Sequence, residues 1–338
     1  MTETNFQQIL KDIRNKVLYP IYFLSGEESF YIDVIADFIE ENVLTETERE
    51  FNLSIMYGKE TDIPTIISTA RRYPMMASHN VVIIREAHHI KNIEDLLPYV
   101  ERPLESTILV ICYKYKKSLD KRTKFYKILS KAGIVFTGKK LYENQVPAWI
   151  SGYVKQHGYK IGPRALQMLA DHLGTDLGTI VNEIRKLFIN LDKGSEITTL
   201  VIEENIGISK DFNIFEYQNA LGARDSGKAY RIAKYFADNP RSNPFVMTTA
   251  VLYQFFSKVL LYHSLADKSQ NNAASELGVN PFFIKDYALA AKNYPPQRII
   301  AIFSELRNYD MKSKGWENAS TNHGELVKEL TYKILNQV

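Results

Sequence analysis

Tyr22-Phe23-Leu24-Ser25-Gly26-Glu27-Glu28-Ser29-Phe30-Tyr31-Ile32-Asp33 reads as a buried strand, a turn and the start of a helix. A phosphate-binding loop is built in that order, with the pattern G-x-x-x-x-G-K-[ST] following a strand. Set on Gly26, the pattern asks for glycine, lysine and a hydroxyl where this chain has Tyr31, Ile32 and Asp33. No lysine stands there to meet the β- and γ-phosphates, and no hydroxyl to meet magnesium. Glu27 and Glu28 place carboxylates where the phosphates would lie. The stretch predicts the architecture of a nucleotide site without its chemistry.

Outward from it, residues 1–140 alternate helical and strand patterns. Tyr31, Val34, Ile35, Phe38 and Ile39 continue at helical spacing, and Phe51, Leu53, Ile55 and Tyr57 alternate as a strand does. Ile63, Ile66, Ile67 and Ala70 form a helical stripe that stops near Pro74. Strands are expected at 81–84, 107–111 and 133–137, with a helix over 119–131. Apolar, β-branched runs separated by helices imply a parallel sheet covered on both faces. From Leu141 the spacing becomes helical, through 143–157, 163–173 and 175–190. A further helical block runs from about 213 to the end, broken near Asn239-Pro240, Asn280-Pro281 and Pro295-Pro296. The expected plan is an α/β domain over 1–140, a small helical domain over 141–212 and a second helical domain over 213–338.

Length and composition fit this plan: 338 residues suggest two or three domains, and 45% hydrophobic residues can fill their cores. A net charge of +3 is too small to mark a nucleic-acid binder, so local clusters must decide. The single cysteine, Cys112, rules out a disulfide framework and a multi-cysteine zinc site. The first residues lack a basic segment followed by an apolar one, so no signal peptide is expected. The most apolar run, 245–262, is interrupted by Thr248, Thr249, Gln254, Ser257 and Lys258 and reads as a core helix. A cytoplasmic protein with no membrane contact is expected.

Two further stretches repeat the lesson of the first. In Val81-Val82-Ile83-Ile84-Arg85-Glu86, Arg85 stands where an ATPase carries the aspartate that helps to hold magnesium. Gly174-Thr175-Asp176-Leu177-Gly178-Thr179-Ile180-Val181-Asn182-Glu183 resembles the G-D-L-R-x-x-x-N helix start in the lid of AAA+ ATPases, with Gly178 in place of the arginine that senses the γ-phosphate. An AAA+-like α/β domain, a lid and a third helical domain, with these positions vacated, resemble the delta subunit of the bacterial DNA polymerase III clamp loader. Leu24-Ser25-Gly26-Glu27-Glu28, Pro74-Met75-Met76, Leu119-Asp120-Lys121-Arg122 and Asn182-Glu183-Ile184-Arg185-Lys186-Leu187 are similar to that family as well. The likeness is strong to about residue 190 and rests on helical layout beyond about 213. Motor subunits keep the lysine and usually a four-cysteine module, and delta-prime subunits typically carry a zinc module and Ser-Arg-Cys. Here the lone cysteine precedes Tyr113.

The resemblance implies a subunit of a DNA-directed DNA polymerase holoenzyme that is not itself catalytic, with no cofactor and no metal. Its vacated nucleotide site would comprise Gly26, Tyr31, Ile32, Asp33, Arg85, Glu86 and Gly178. The implied partners are the sliding clamp (the beta subunit), the motor and delta-prime subunits, and primer-template DNA within the assembled loader. By residue type alone, Met75 and Met76 could pack under the sheet. The resemblance instead makes Pro74, Met75 and Met76, with Arg71, Arg72 and Tyr73 beside them, the clamp contact. A basic cluster includes Lys114, Lys116, Lys117, Lys121, Arg122, Lys124, Lys127, Lys131, Lys139 and Lys140, against Asp120. It reads either as a solvated surface or as phosphate contacts. Trp316, among Lys312 and Lys314, reads either as a packed tryptophan or as a stacking platform for an unpaired base. His88-His89 is not expected to bind metal, since adjacent side chains rarely point the same way. Two other functions fit parts of the pattern: an active nucleotide-dependent ATPase or remodeller, and a stand-alone DNA-binding protein.

Overall fold

A computed structural model of the chain describes residues 6–115, 119–209, 211–318 and 321–337. It divides into two compact units, Met1–Leu141 and Tyr142–Val338. The first unit runs α1 (Phe6–Arg14), β1 (Ile21–Gly26), α2 (Ser29–Asn42), α3 (Glu46–Asn52), β2 (Leu53–Tyr57) and α4 (Ile63–Ala70). It continues with β3 (Asn80–Arg85), α5 (Leu97–Val100), β4 (Thr107–Lys114), α6 (Lys124–Ala132) and β5 (Ile134–Gly138). The five strands are parallel and ordered β2-β3-β4-β1-β5, the AAA+-like arrangement that the sequence implied.

Every residue of β1 is buried because both faces of the sheet are covered. Tyr22 and Leu24 share one core with Ile9 and Ile13 of α1 and Ile32 and Ile35 of α2. Ile21 and Phe23 share the other with Ile66 of α4 and Phe125 and Leu129 of α6. Each fully buried aliphatic side chain contributes roughly 1.5–3 kcal/mol, so the unbroken apolar strands are what hold the sheet between its helices.

Two sequence assignments need correction. Phe51 lies on α3, not in a strand. A capping box at Thr45 and Glu48 starts that helix and carries it through Asn52, so the alternating pattern begins only at Leu53. The helix expected over 119–131 begins at Lys124: Asp120 turns the chain by accepting from the Arg122 N–H at 2.9 Å, and Thr123 caps the helix. Helix α1 was not assigned from sequence at all.

The second unit contains α7 (Val146–Gln156), β6 (Lys160–Ile161), α8 (Pro163–Leu173), α9 (Leu177–Ile189), β7 (Glu196–Ile197) and α10 (Thr199–Ile206). There follow α11 (Ile214–Ala223), α12 (Ser226–Asp238), α13 (Phe245–Ser264), α14 (Gln270–Leu277), α15 (Ile284–Asn293), α16 (Pro296–Ser313) and α17 (His323–Tyr332). Helix α13 is long and apolar enough to cross a membrane. Its Phe245, Leu252, Phe255, Phe256 and Val259 instead lie in the core shared by the helices from α11 onward. The prolines mark the breaks expected of them, with Pro296 opening α16 in a first-turn position where no N–H is required.

Candidate functional site

The carboxyl ends of β1, β3 and β4 deliver Gly26, Arg85 and Lys114 to one edge of the sheet. In open α/β sheets that edge is where ligands bind. Gly26 has φ +126°, and a Cβ there would lie 2.1 Å from the Gly138 carbonyl oxygen on the paired strand β5. Close packing of two strand tips therefore requires this glycine without any phosphate.

The loop after it is closed to an anion by its own side chain. Buried Glu28 caps α2 and accepts from the Phe30 N–H at 3.1 Å. A helix N-terminus favours negative charge, and here a carboxylate of the chain supplies it. Tyr31 packs against Phe6 and Phe136. Ile32, at the lysine position, is fully buried in the sheet core, and a side chain leaving from there would not reach a phosphate.

Asp33 and Arg85, at the two positions that would hold magnesium, face each other. The Arg85 guanidinium lies 3.8 Å from Asp33, donates to Asp37 at 2.7 Å and reaches Glu40 at 2.8 Å. Lys114 reaches Asp33 at 2.5 Å. Burial opposes the charge on Arg85, but hydrogen bonds to Asp37 and Glu40 and the nearby acids hold its pKa above the ordinary arginine value. A guanidinium thus stands among these carboxylates, at the sequence position where the ATPase pattern carries a metal-holding aspartate. The surrounding cleft, about 430 Å³, is lined by five carboxylates, Asp33, Asp37, Glu40, Glu41 and Glu86, against Arg85 and Lys114. Polyphosphate entering it would meet net negative charge. Asp37, Glu40 and Lys114 were missed as members of this cluster. The Asp33, Asp37, Glu40 spacing on one helix face was readable, but what it faces was not. Gly178, near the start of α9, has open space around it: an added Cβ would meet only the Asp176 Oδ1, at 3.5 Å. Sterics do not explain the missing arginine.

The other sequence candidates lie elsewhere on the first unit. Helix α4 ends at Ala70, and the chain runs through Arg71, Arg72, Tyr73 and Pro74 to Met75 and Met76. Met75 is 62% exposed and Met76 fully exposed, so neither packs under the sheet. Met76 has φ 53°, a left-handed conformation uncommon outside glycine.

Among the basic residues, Lys116 and Lys117 lie outside the described residues. Arg122 is 90% exposed and forks onto Asp120, with Nε and Nη2 donating at 3.0 and 2.8 Å. Lys124 pairs with Glu101 at 2.7 Å, Lys121 lies in the turn before α6, and Lys114 points inward to Asp33. Trp316 is exposed on the turn after α16. His88 and His89 contradict the expectation that neighbours diverge: in a tight 3₁₀ turn their rings lie 4.1 Å apart.

Known proteins resemble this chain in sequence and fold. A family model described as "DNA polymerase III, delta subunit" matches residues 22–139. The chain is 25% identical over 320 residues to the DNA polymerase III subunit delta of Bacillus subtilis, covering 90% of this chain and 91% of that one. The solved structure of the B. subtilis DNA clamp loader delta protein, YqeN, aligns over 98% of this chain and 99% of its own with a TM-score of 0.53 at 22% identity. In its motifs over the first unit and in its alignment along nearly the whole length, the chain is similar to the delta subunits of the DNA polymerase III clamp loader.

Proposed function

We propose that this chain binds the sliding clamp through Pro74, Met75 and Met76, with Arg72 and Tyr73 flanking, and holds the clamp open for loading onto primer-template DNA. The observation that carries this reading is the pair of exposed methionines on a loop at the end of α4. Methionine is flexible and polarizable, suited to filling an apolar pocket on a partner. In this reading the delta subunit does mechanical work only through differential binding: it must prefer the open ring over the closed one. ATP is bound and hydrolysed by neighbouring motor subunits, because Arg85 and the cleft's acids disfavour nucleotide here. Residues 141–212 act as the lid and 213–338 as the collar that joins motor and delta-prime subunits. Lys121, Arg122, Lys124 and Trp316 contact DNA only within the assembled loader, in the cytoplasm.

The test is co-elution and affinity measurement with the sliding clamp of the same organism. Removing two buried methionine side chains from an interface costs about 2–4 kcal/mol. Met75→Ala/Met76→Ala should therefore weaken binding roughly 30- to 1,000-fold. An unmodified chain that fails to bind the clamp removes the reading. Magnesium-dependent ATP binding by calorimetry would favour an ATPase instead, and tight, salt-sensitive DNA binding by the isolated chain a stand-alone DNA-binding protein.

A further inference from the structure

Asn52, the last residue of α3, is 2% exposed, and its amide makes three hydrogen bonds. Its Oδ1 accepts from the Met75 N–H at 2.6 Å. Its Nδ2 donates to the Met75 carbonyl at 2.9 Å and to the Glu48 carbonyl at 2.9 Å. Two carbonyls on one side and an N–H on the other fix which end of the amide is which. Both backbone groups of Met75 are thus gripped by one buried side chain. The next residue, Met76, is held fully exposed in the left-handed region, which a free non-glycine chain seldom visits. The grip reaches back through Glu48 to the capping box that anchors α3 at Thr45.

We propose that Asn52 is the positioning residue of the clamp-binding loop: it holds Met75 and Met76 outward in the conformation that enters the partner's apolar pocket. The inference rests on the proposed clamp contact. A bidentate grip from the folded unit keeps the loop in one conformation, so the methionines enter the pocket already ordered. Without it the loop samples many conformations, and apparent affinity falls in proportion to the fraction still competent.

The experiment combines hydrogen exchange of the Met75 amide with clamp affinity, in Asn52→Ala and Asn52→Asp, each made in the unmodified chain and in Met75→Ala/Met76→Ala. Aspartate keeps the acceptor for the Met75 N–H but loses both donors and sets a charge against two carbonyls. Expected are at least tenfold faster exchange at Met75 in Asn52→Ala, at least tenfold weaker clamp binding in both variants, and little further loss when the methionines are already alanine. Unchanged affinity in Asn52→Ala, with the unmodified chain binding normally, overturns the inference and leaves the clamp contact standing. An equal loss with and without the methionines also overturns it, because Asn52 would then act through general stability. Failure of the unmodified chain to bind the clamp overturns both.

Discussion

Replacing Arg85 by Met removes the guanidinium that joins β3 to α2 while keeping most of the side-chain volume. At an effective dielectric of about 20, each ion pair at contact distance is worth roughly 4 kcal/mol in gross Coulomb energy. The Arg85 side chain is 16% exposed, but its partners Asp37 and Glu40 are 55% and 30% exposed, so water screens much of that. Desolvating the guanidinium offsets more. Between the surface limit of about 1 kcal/mol and the buried limit of 3–5, we expect a net loss of roughly 1–3 kcal/mol. Both tryptophans, Trp149 and Trp316, lie in the second unit, so their fluorescence does not report on this sheet. Hydrogen exchange of the β3 and β4 amides does. At low salt their opening free energy should fall by that amount in Arg85→Met. The loss should shrink in 1 M salt, where the screening length is only about 3 Å. Opening free energies within about 0.5 kcal/mol of the unmodified chain at low salt would show that the cluster is solvated decoration and not a latch.

Two glycines from the same sequence argument should respond oppositely. Gly26→Ala drives a Cβ to 2.1 Å from the Gly138 oxygen at a φ alanine avoids, so loss of more than about 4 kcal/mol, seen as failure to accumulate folded protein, is expected. Gly178→Ala, in open helical space, should stabilise the second unit by about 0.5–1 kcal/mol in urea titration followed by tryptophan fluorescence. Asp171 on α8 gives a pH prediction: burial, opposed by the Gln167 amide and Lys258 and reinforced by Glu143, pushes its pKa up to about 6. Because this lies above the ordinary carboxylate value, its stabilising contribution is fully present below about pH 4 and is lost as pH rises through 6. Asp171→Asn should match the unmodified chain near pH 4 and be more stable by about 1–3 kcal/mol at pH 7.5. Parallel melting profiles across that range would refute it.

Much of the first unit was legible because sheet strands and amphipathic helices announce themselves in local periodicity. Tyr31, Ile32, Asp33, Arg85 and Gly178 could be read as departures from the nucleotide-site pattern that Gly26 begins, on residue identity alone. What failed was local competition at boundaries: the capping box at Thr45 carried Phe51 into α3, and the Asp120 turn delayed α6 to Lys124. The expectation that the two histidine side chains diverge failed because in this 3₁₀ turn their rings lie side by side.

By itself, then, the sequence determined that the chain folds as an AAA+-like parallel sheet with helical regions after it, and that other residues stand at the lysine, hydroxyl, aspartate and arginine positions of the nucleotide motifs. Those are properties of residue type and short-range spacing. Only the tertiary structure decided what took their place. Arg85 meets Asp37 across 48 residues and Asn52 grips Met75 across 23, because the fold sets α2 beside the carboxyl end of β3 and, at the opposite edge of the sheet, the start of β2 beside the loop that leads into β3. Whether Met75 and Met76 were core or surface was equally beyond local pattern. An apolar side chain is buried only if the rest of the fold supplies a surface to cover it, and here the fold leaves both uncovered.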